Sequence, residues 1–233
     1  MPAVVAFVSQ KGGVGKSTLA RSLGAVTALG GLNVKVADLD PLQRTAVRWA
    51  QARETSGLPP VRIETHDGVA EAIASSIEAD LLLLDMPGTV NDQTMEAARQ
   101  ADLVVQPTSP SLDDIHPSLL VFQALENLGI PRERLAFALC RVLSDQEAEA
   151  ARTLLTTQGY TVLFGHIQEH LDYRRALNSG YGLTETAHQA LNVAAQLVVG
   201  DILQWVAGHG DGLMLSNPTE SAVTGHEESV SNH

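Results

Sequence analysis

One cysteine, three lysines and few aromatic rings mark what this sequence does without. With Cys140 alone, no disulfide can close within the chain. Nor can one copy supply a Cys-rich metal or iron–sulfur site. Aromatic residues are 4% of the 233 positions against 44% apolar overall, so a core must be built mainly from Ala, Val, Leu and Ile. The lysines are Lys11, Lys16 and Lys35, and neither lysine nor arginine follows Arg175. A net charge of −12 excludes a generally basic surface, so attraction to nucleic acid has to come from a local patch. The opening run MPAVVAFVS lacks a basic flank and is too short for a signal peptide or a membrane span. A cytoplasmic chain is the expectation.

What is present is an alternation. Apolar runs at AVVAFVS, NVKVADLD, VRIET, DLLLLDMPG, DLVVQPT, RLAFALCRV and YTVLFG read as strands, with helical patterns between them. Strands alternating with helices predict an α/β fold: a mostly parallel central sheet flanked by helices on both faces. The length suits one large domain, predicted over residues 1–207. The last long helix is expected over 183–208, with Thr184 as N-cap and Ala187, Leu191, Ala194, Val198, Ile202 and Val206 on its apolar face. Residues 208–233 have no periodicity and no basic residue, and read as a disordered tail.

Two of the three lysines fall in SQKGGVGKST, residues 9–18. A phosphate-binding loop has the form G-x-x-x-x-G-K-[ST]. Here the first glycine is replaced by Gln10, while Gly12, Gly13 and Gly15 crowd the loop and Lys11 is added. Placed between a strand and a helix, Gly12, Gly13, Val14 and Gly15 let backbone N–H groups converge on phosphate oxygens. The helix from Lys16 aims its N-terminus at the same point. Lys16 would span the β- and γ-phosphates, Ser17 would ligate Mg²⁺, and Thr18 completes the loop. ATP and Mg²⁺ are the implied cofactors.

KGGVGKST, followed by DLDP, LLLLDMPG and YRRALNSGYGLTE, resembles the deviant P-loop ATPases of the ParA/MinD family over residues 2–207. The resemblance implies a P-loop NTPase fold and a role for Lys11 in trans, on the triphosphate of a second copy in an ATP-sandwich homodimer. It implies that Asp40, at the end of the second strand, positions the attacking water. Asp38, on the same strand face, reads either as a partner of Mg²⁺ through water or as a strand-end cap. The family continues D-x-D-P-Q, whereas Leu42 here precedes Gln43, which suggests a longer loop. Asp85 ends an apolar strand, where a carboxylate is costly without a cation or donors; it matches the Mg²⁺-holding acid, with a plain strand-terminal Asp as the alternative. For the adenine, the family points to Arg141 and the stretch near Ile167 and Gln168, although Arg141 could equally be an exposed strand-end charge.

Several uses of such a switch compete. A MinD-like membrane-docking helix needs cationic residues, and none follows Arg175. A nitrogenase-iron-protein relative needs more cysteines. A biosynthetic enzyme of the cobyrinate amidoligase or dethiobiotin synthetase type remains open, though Lys11 disfavours it. The expectation is a small plasmid-type partition ATPase without membrane attachment, and Lys11 lies too near the first residue for a helix-turn-helix domain ahead of it. Its ATP dimer would bind DNA without sequence preference, associate with the nucleoid, and release when a centromere-binding partner stimulates hydrolysis. Arg174 and Arg175, with Arg152, are the expected DNA contacts; a solvated helix face is the alternative for the pair.

Overall fold

The computed structural model describes residues 1–40 and 45–209; Leu42 and residues 210–233 of the expected tail lie outside the described residues, while its first two residues, Gly208 and His209, belong to the last helix. The elements run β1 (Ala3–Phe7), α1 (Lys16–Leu29), β2 (Val34–Asp38), α2 (Thr45–Thr55), β3 (Arg62–Thr65), α3 (Val69–Ala74), β4 (Leu81–Asp85) and α4 (Asp92–Gln100). They continue as β5 (Leu103–Thr108), α5 (Leu112–Asn127), β6 (Leu135–Val142), α6 (Asp145–Thr157), β7 (Thr161–Val162), β8 (Ile167–Gln168), α7 (Leu171–Asn178) and α8 (Gln189–His209). The strands pair in parallel in the order β3-β2-β4-β1-β5-β6-β7, with β8 also on β6. From β1 the chain winds out to β2 and β3, returns to β4 beside β1, then crosses to β5 on the other side. Crossovers therefore diverge around β1, and the crevice beyond its carboxyl end is where ligands bind in such sheets.

Why the strands read as unbroken apolar runs is now plain. Along β4, Leu81 and Leu83 face one core with α1, Trp49 of α2 and α8, while Leu82 and Leu84 face a second with α4, α5 and α6. A strand buried on both faces has no polar side to show. Small aliphatic residues fill most of both cores, and three rings cluster in one of them, Phe122, Phe137 and Tyr160 lying 4.3–5.6 Å apart. Lys35 is fully buried on β2, paired with Glu64 at 2.6 Å and bonded to Ser75, so this lysine is structural.

Three expectations change. β2 stops at Asp38, so Asp40 lies two residues beyond the strand rather than at its end. The dipeptide strand β8 carries too short a signal to stand out in the sequence. The last helix starts at Gln189, and Thr184 belongs to a separate 3-10 turn, Leu183–Glu185, leaving Ala187 exposed. Tertiary bonds pull that turn off the helix: Leu183 N–H donates to Ser22 Oγ, and Glu185 is claimed by Arg53. By length and composition α8 would suffice to cross a bilayer. Leu191, Ala195, Val198, Ile202 and Val206 instead pack against the sheet.

Arg53 of α2 is wholly buried. It donates to both Glu185 oxygens at 2.7 and 3.0 Å, to the Gly180 and Pro59 carbonyls, and lies over the Trp49 ring. This fork anchors α2 to the segment ahead of α8. Removing one partner strands the other charge in a dry setting, so Arg53→Ala should lower the unfolding free energy by about 3–5 kcal/mol. Urea denaturation would check it; a loss under about 1 kcal/mol would mean water reaches Glu185.

Candidate functional site

Gln10 needs no positive φ, since Arg141 is the non-glycine residue with one among the described residues. That is why the first glycine of the usual loop is dispensable here. Ser9 holds the turn instead, its hydroxyl donating to the Lys11 carbonyl and accepting from the Lys11 N–H. The left-handed positions are Gly13 (φ 76°) and Gly15 (φ 122°). A Cβ on Gly15 would also lie 3.2 Å from Cys140 Sγ. Helix α1 then starts at Lys16 with no side-chain cap, whereas α4, α5, α6 and α7 each have one. Its first N–H groups and its dipole are left for an anion. Lys16 Nζ folds back to the Lys11 carbonyl at 3.3 Å, and burial lowers its pKa against the pull of Asp85 and Asp40.

Behind the loop, Asp38 and Asp85 stand opposite one another on adjacent strands. Burial pushes the Asp85 carboxyl up to about 6 against the nearby Ser17 hydroxyl and Arg21 guanidinium. Asp38 is raised too, chiefly by burial. Asp38 Oδ2 and Asp85 Oδ1 are both buried without a hydrogen-bond partner. Two orphaned carboxylate oxygens beside a serine hydroxyl suit a hard divalent cation, so Ser17, Asp85 and Asp38 fit Mg²⁺. Asp38 also acts as a cap: its Oδ1 accepts the Asp40 N–H at 3.0 Å, and the carboxylate takes the Ala46 N–H as well. Asp40 itself lines a cleft of about 290 Å³ with Asp67, Pro87, Thr89 and Gln93. The Pro87–Gly88 loop touches the phosphate loop closely, a Cβ on Gly88 falling 3.0 Å from Gly12 N.

Lys11 stands at the lip, with its side chain 45% exposed. Its Nζ donates to Asp114 Oδ1 at 2.5 Å and to the Asp113 carbonyl at 2.7 Å, at the start of α5. Burial raises the Asp114 carboxyl, but hydrogen bonds from Lys11 and Ser109 outweigh it and hold the pKa low. The second lysine thus has a partner within its own chain.

Beside the loop a cavity of about 330 Å³ is lined by Gly13, Thr18, Arg141, Ile167, Gln168 and Tyr173, among others. The sequence-level guess for the base, Arg141 with Ile167 and Gln168, is gathered there. Arg141 holds φ at 58°, a conformation costing a bulky residue about 1–3 kcal/mol, at the rim of this cavity. Glu169 pairs with both Arg141 and Arg174 at 3.0 Å. Arg174, expected to meet DNA, is thus part of the cavity wall. Arg175 pairs with Asp172. Arg152 does not fit its expected role: its guanidinium is spent on the carbonyls of Val162, Leu163 and Gly165. The sequence reading also missed Ser9, Glu169, Asp114 and Arg21. Arg21 alone left a signal, lying one helical turn after Ser17 and hence on its face.

A family profile described as the CobQ/CobB/MinD/ParA nucleotide binding domain matches residues 5–207. Protein ParA of Rhizobium radiobacter is 27% identical over 205 residues, covering 84% of this chain and 91% of that protein. The maintenance of carboxysome distribution protein A of Gloeobacter kilaueensis is 28% identical over 189 residues, covering 79% and 85%. Among solved structures, the septum site-determining protein MinD of Pyrococcus horikoshii, complexed with Mg-ADP, superposes with a TM-score of 0.71 at 18% identity, covering 89% and 98%.

The raised Asp85 pKa has a consequence for stability. The folded chain favours the protonated acid, so the charged form costs stability above about pH 6, and the cost fades as pH falls through that value. At pH 7.5 a rise of this size corresponds to at most about 3 kcal/mol. Asp85→Asn should therefore raise the unfolding free energy of the nucleotide-free protein by about 1–3 kcal/mol at pH 7.5, with the gain vanishing near pH 4. The same variant should lose Mg²⁺-dependent tightening of nucleotide binding. Calorimetric melts across pH check the first point, and titration with a fluorescent ATP analogue checks the second.

Proposed function

Because this chain belongs to the CobQ/CobB/MinD/ParA nucleotide-binding family, we propose that it is an Mg²⁺-dependent ATPase of the DNA-partition kind. Two ATP-loaded copies meet face to face, and Lys11 of each reaches the triphosphate of the other. The observation that carries this reading is the second lysine, exposed at the lip of an otherwise complete phosphate loop. A trans cation of this type offsets charge developing in phosphoryl transfer, as an arginine finger does, at about 10³–10⁵ in rate. Asp40, beside the Pro87–Gly88 loop, orients the attacking water; Asp85 and Ser17 hold Mg²⁺. The base lies in the cavity walled by Arg141.

In a nucleotide-gated cycle the closed pair binds DNA without reading sequence, and hydrolysis stimulated by a small centromere-binding protein releases it. The cytoplasmic chain then alternates between free and nucleoid-associated pools. Membrane docking is disfavoured because the sequence carries no basic residue after Arg175. DNA contact rests on Arg174 and Arg175, whose side chains are 65% and 70% exposed although each already pairs with a carboxylate. A modest patch doubled in a dimer gains from counterion release, which makes the retention salt-sensitive. Similarity to the carboxysome-distribution protein fits the same cycle with a different cargo.

Retention of DNA with ATP, ADP or no nucleotide tests the proposal. Binding and dimerisation should require ATP with Mg²⁺, and Lys11→Ala should abolish both while leaving nucleotide affinity within about threefold. DNA binding that ignores the nucleotide would sink it. Asp114→Asn frees each Lys11 from a partly exposed pair worth about 0.5–1 kcal/mol, and two such pairs are broken per dimer, so the ATP dimer should form about five- to thirtyfold more tightly by analytical ultracentrifugation.

A further inference from the structure

Arg21 is a cation in a place that phosphate binding does not require. It lies one turn beyond Ser17 on α1, close enough to Asp85 and Asp38 to feel their charge. Its Nη2 donates to Thr45 Oγ1 at 2.6 Å, and Thr45 is the first residue of α2. Its Nε is buried without a hydrogen-bond partner. Such a group is expensive to bury and persists only against compensating charge. That charge comes from Asp85 and Asp38.

The two carboxylates are not served alike. Lys16 acts on Asp85 and Asp40. At Asp38 the cation that offsets burial is Arg21. Asp38 in turn takes two backbone N–H groups from either side of residues 41–44, those of Asp40 and Ala46. Arg21 therefore touches the chain after residues 41–44 directly, at Thr45, and the chain on both sides through Asp38.

We propose that Arg21 is the positioning residue for Asp40, fixing it through Asp38 and through the start of α2. The inference rests on the reading of Asp40 as the residue that orients the attacking water. Lysine cannot substitute fully, because an ammonium keeps the charge near Asp38 but lacks the fixed planar geometry with which the guanidinium holds Thr45.

Two readouts test this, and the first needs no turnover. In the nucleotide-free protein, Arg21→Gln should speed hydrogen exchange at the Asp40 and Ala46 amides at least about tenfold, with β1 and β4 amides unchanged. Arg21→Lys should restore slow exchange at Asp40 more than at Ala46. Thr45→Val, which keeps the charge and serves if Arg21→Gln fails to fold, should loosen Ala46 most and Asp40 to a smaller but measurable degree. The second readout is the kinetic split: kcat should fall at least about tenfold with KM within about threefold. Unchanged exchange at both amides, loss of protection spread evenly over the sheet, or KM rising in step with a falling kcat would each overturn the proposal. Absence of ATPase activity in the unsubstituted protein would sink the assigned function, while the exchange result would still decide what Arg21 does.

Discussion

Two acids held shoulder to shoulder in a dry crevice set the terms for everything around them. Asp38 and Asp85 end neighbouring strands whose other residues, Lys35 apart, are buried apolar groups, so water does little to spread their charge. The fold answers with Arg21 and Lys16 but leaves one oxygen of each acid without a donor. On the other side of Lys16, an uncapped helix end and converging loop amides make an unmet demand for negative charge. A magnesium-bound triphosphate brings both missing signs at once. Either ion alone would correct one half of the imbalance and worsen the other.

The surrounding architecture transmits this local demand. Strand β1, between β4 and β5, presents the loop at the point where crossovers part. Behind it, α1 packs on one face of the sheet while α4, α5 and α6 cover the other. Helix α2 is gripped at both ends, by Arg21 at Thr45 and by the Arg53–Glu185 fork near its last turn. A change around Asp40 therefore meets a firmly seated helix, and the turn before α8 is tied into the same body through Ser22.

Much of this was legible because it is local. The phosphate loop, the helix it opens and the carboxylates at strand ends are contiguous patterns, and a strand buried on both faces shows itself as an unbroken apolar run. The missing glycine at position 10 matches a deviant loop in the sequence, and the backbone agrees, with no positive φ there. What could not be read depends on partners far along the chain. The start of α8 was misplaced because Arg53, more than 130 residues earlier, claims Glu185. Arg152 resembled a surface cation until three carbonyls absorbed it. The hold of Asp114 on Lys11 joins elements 103 positions apart, beyond any spacing rule.

The lone thiol carries a practical meaning. Cys140 is sealed beneath Gly15, next to the cavity beside the loop, and burial pushes its pKa up to about 12. Buried and protonated, it is close to chemically silent in the folded chain. Its 4% exposure keeps alkylation slow at rest, so the rate of labelling reports how often the loop and the adjoining cavity open. No other sulfhydryl competes for the label.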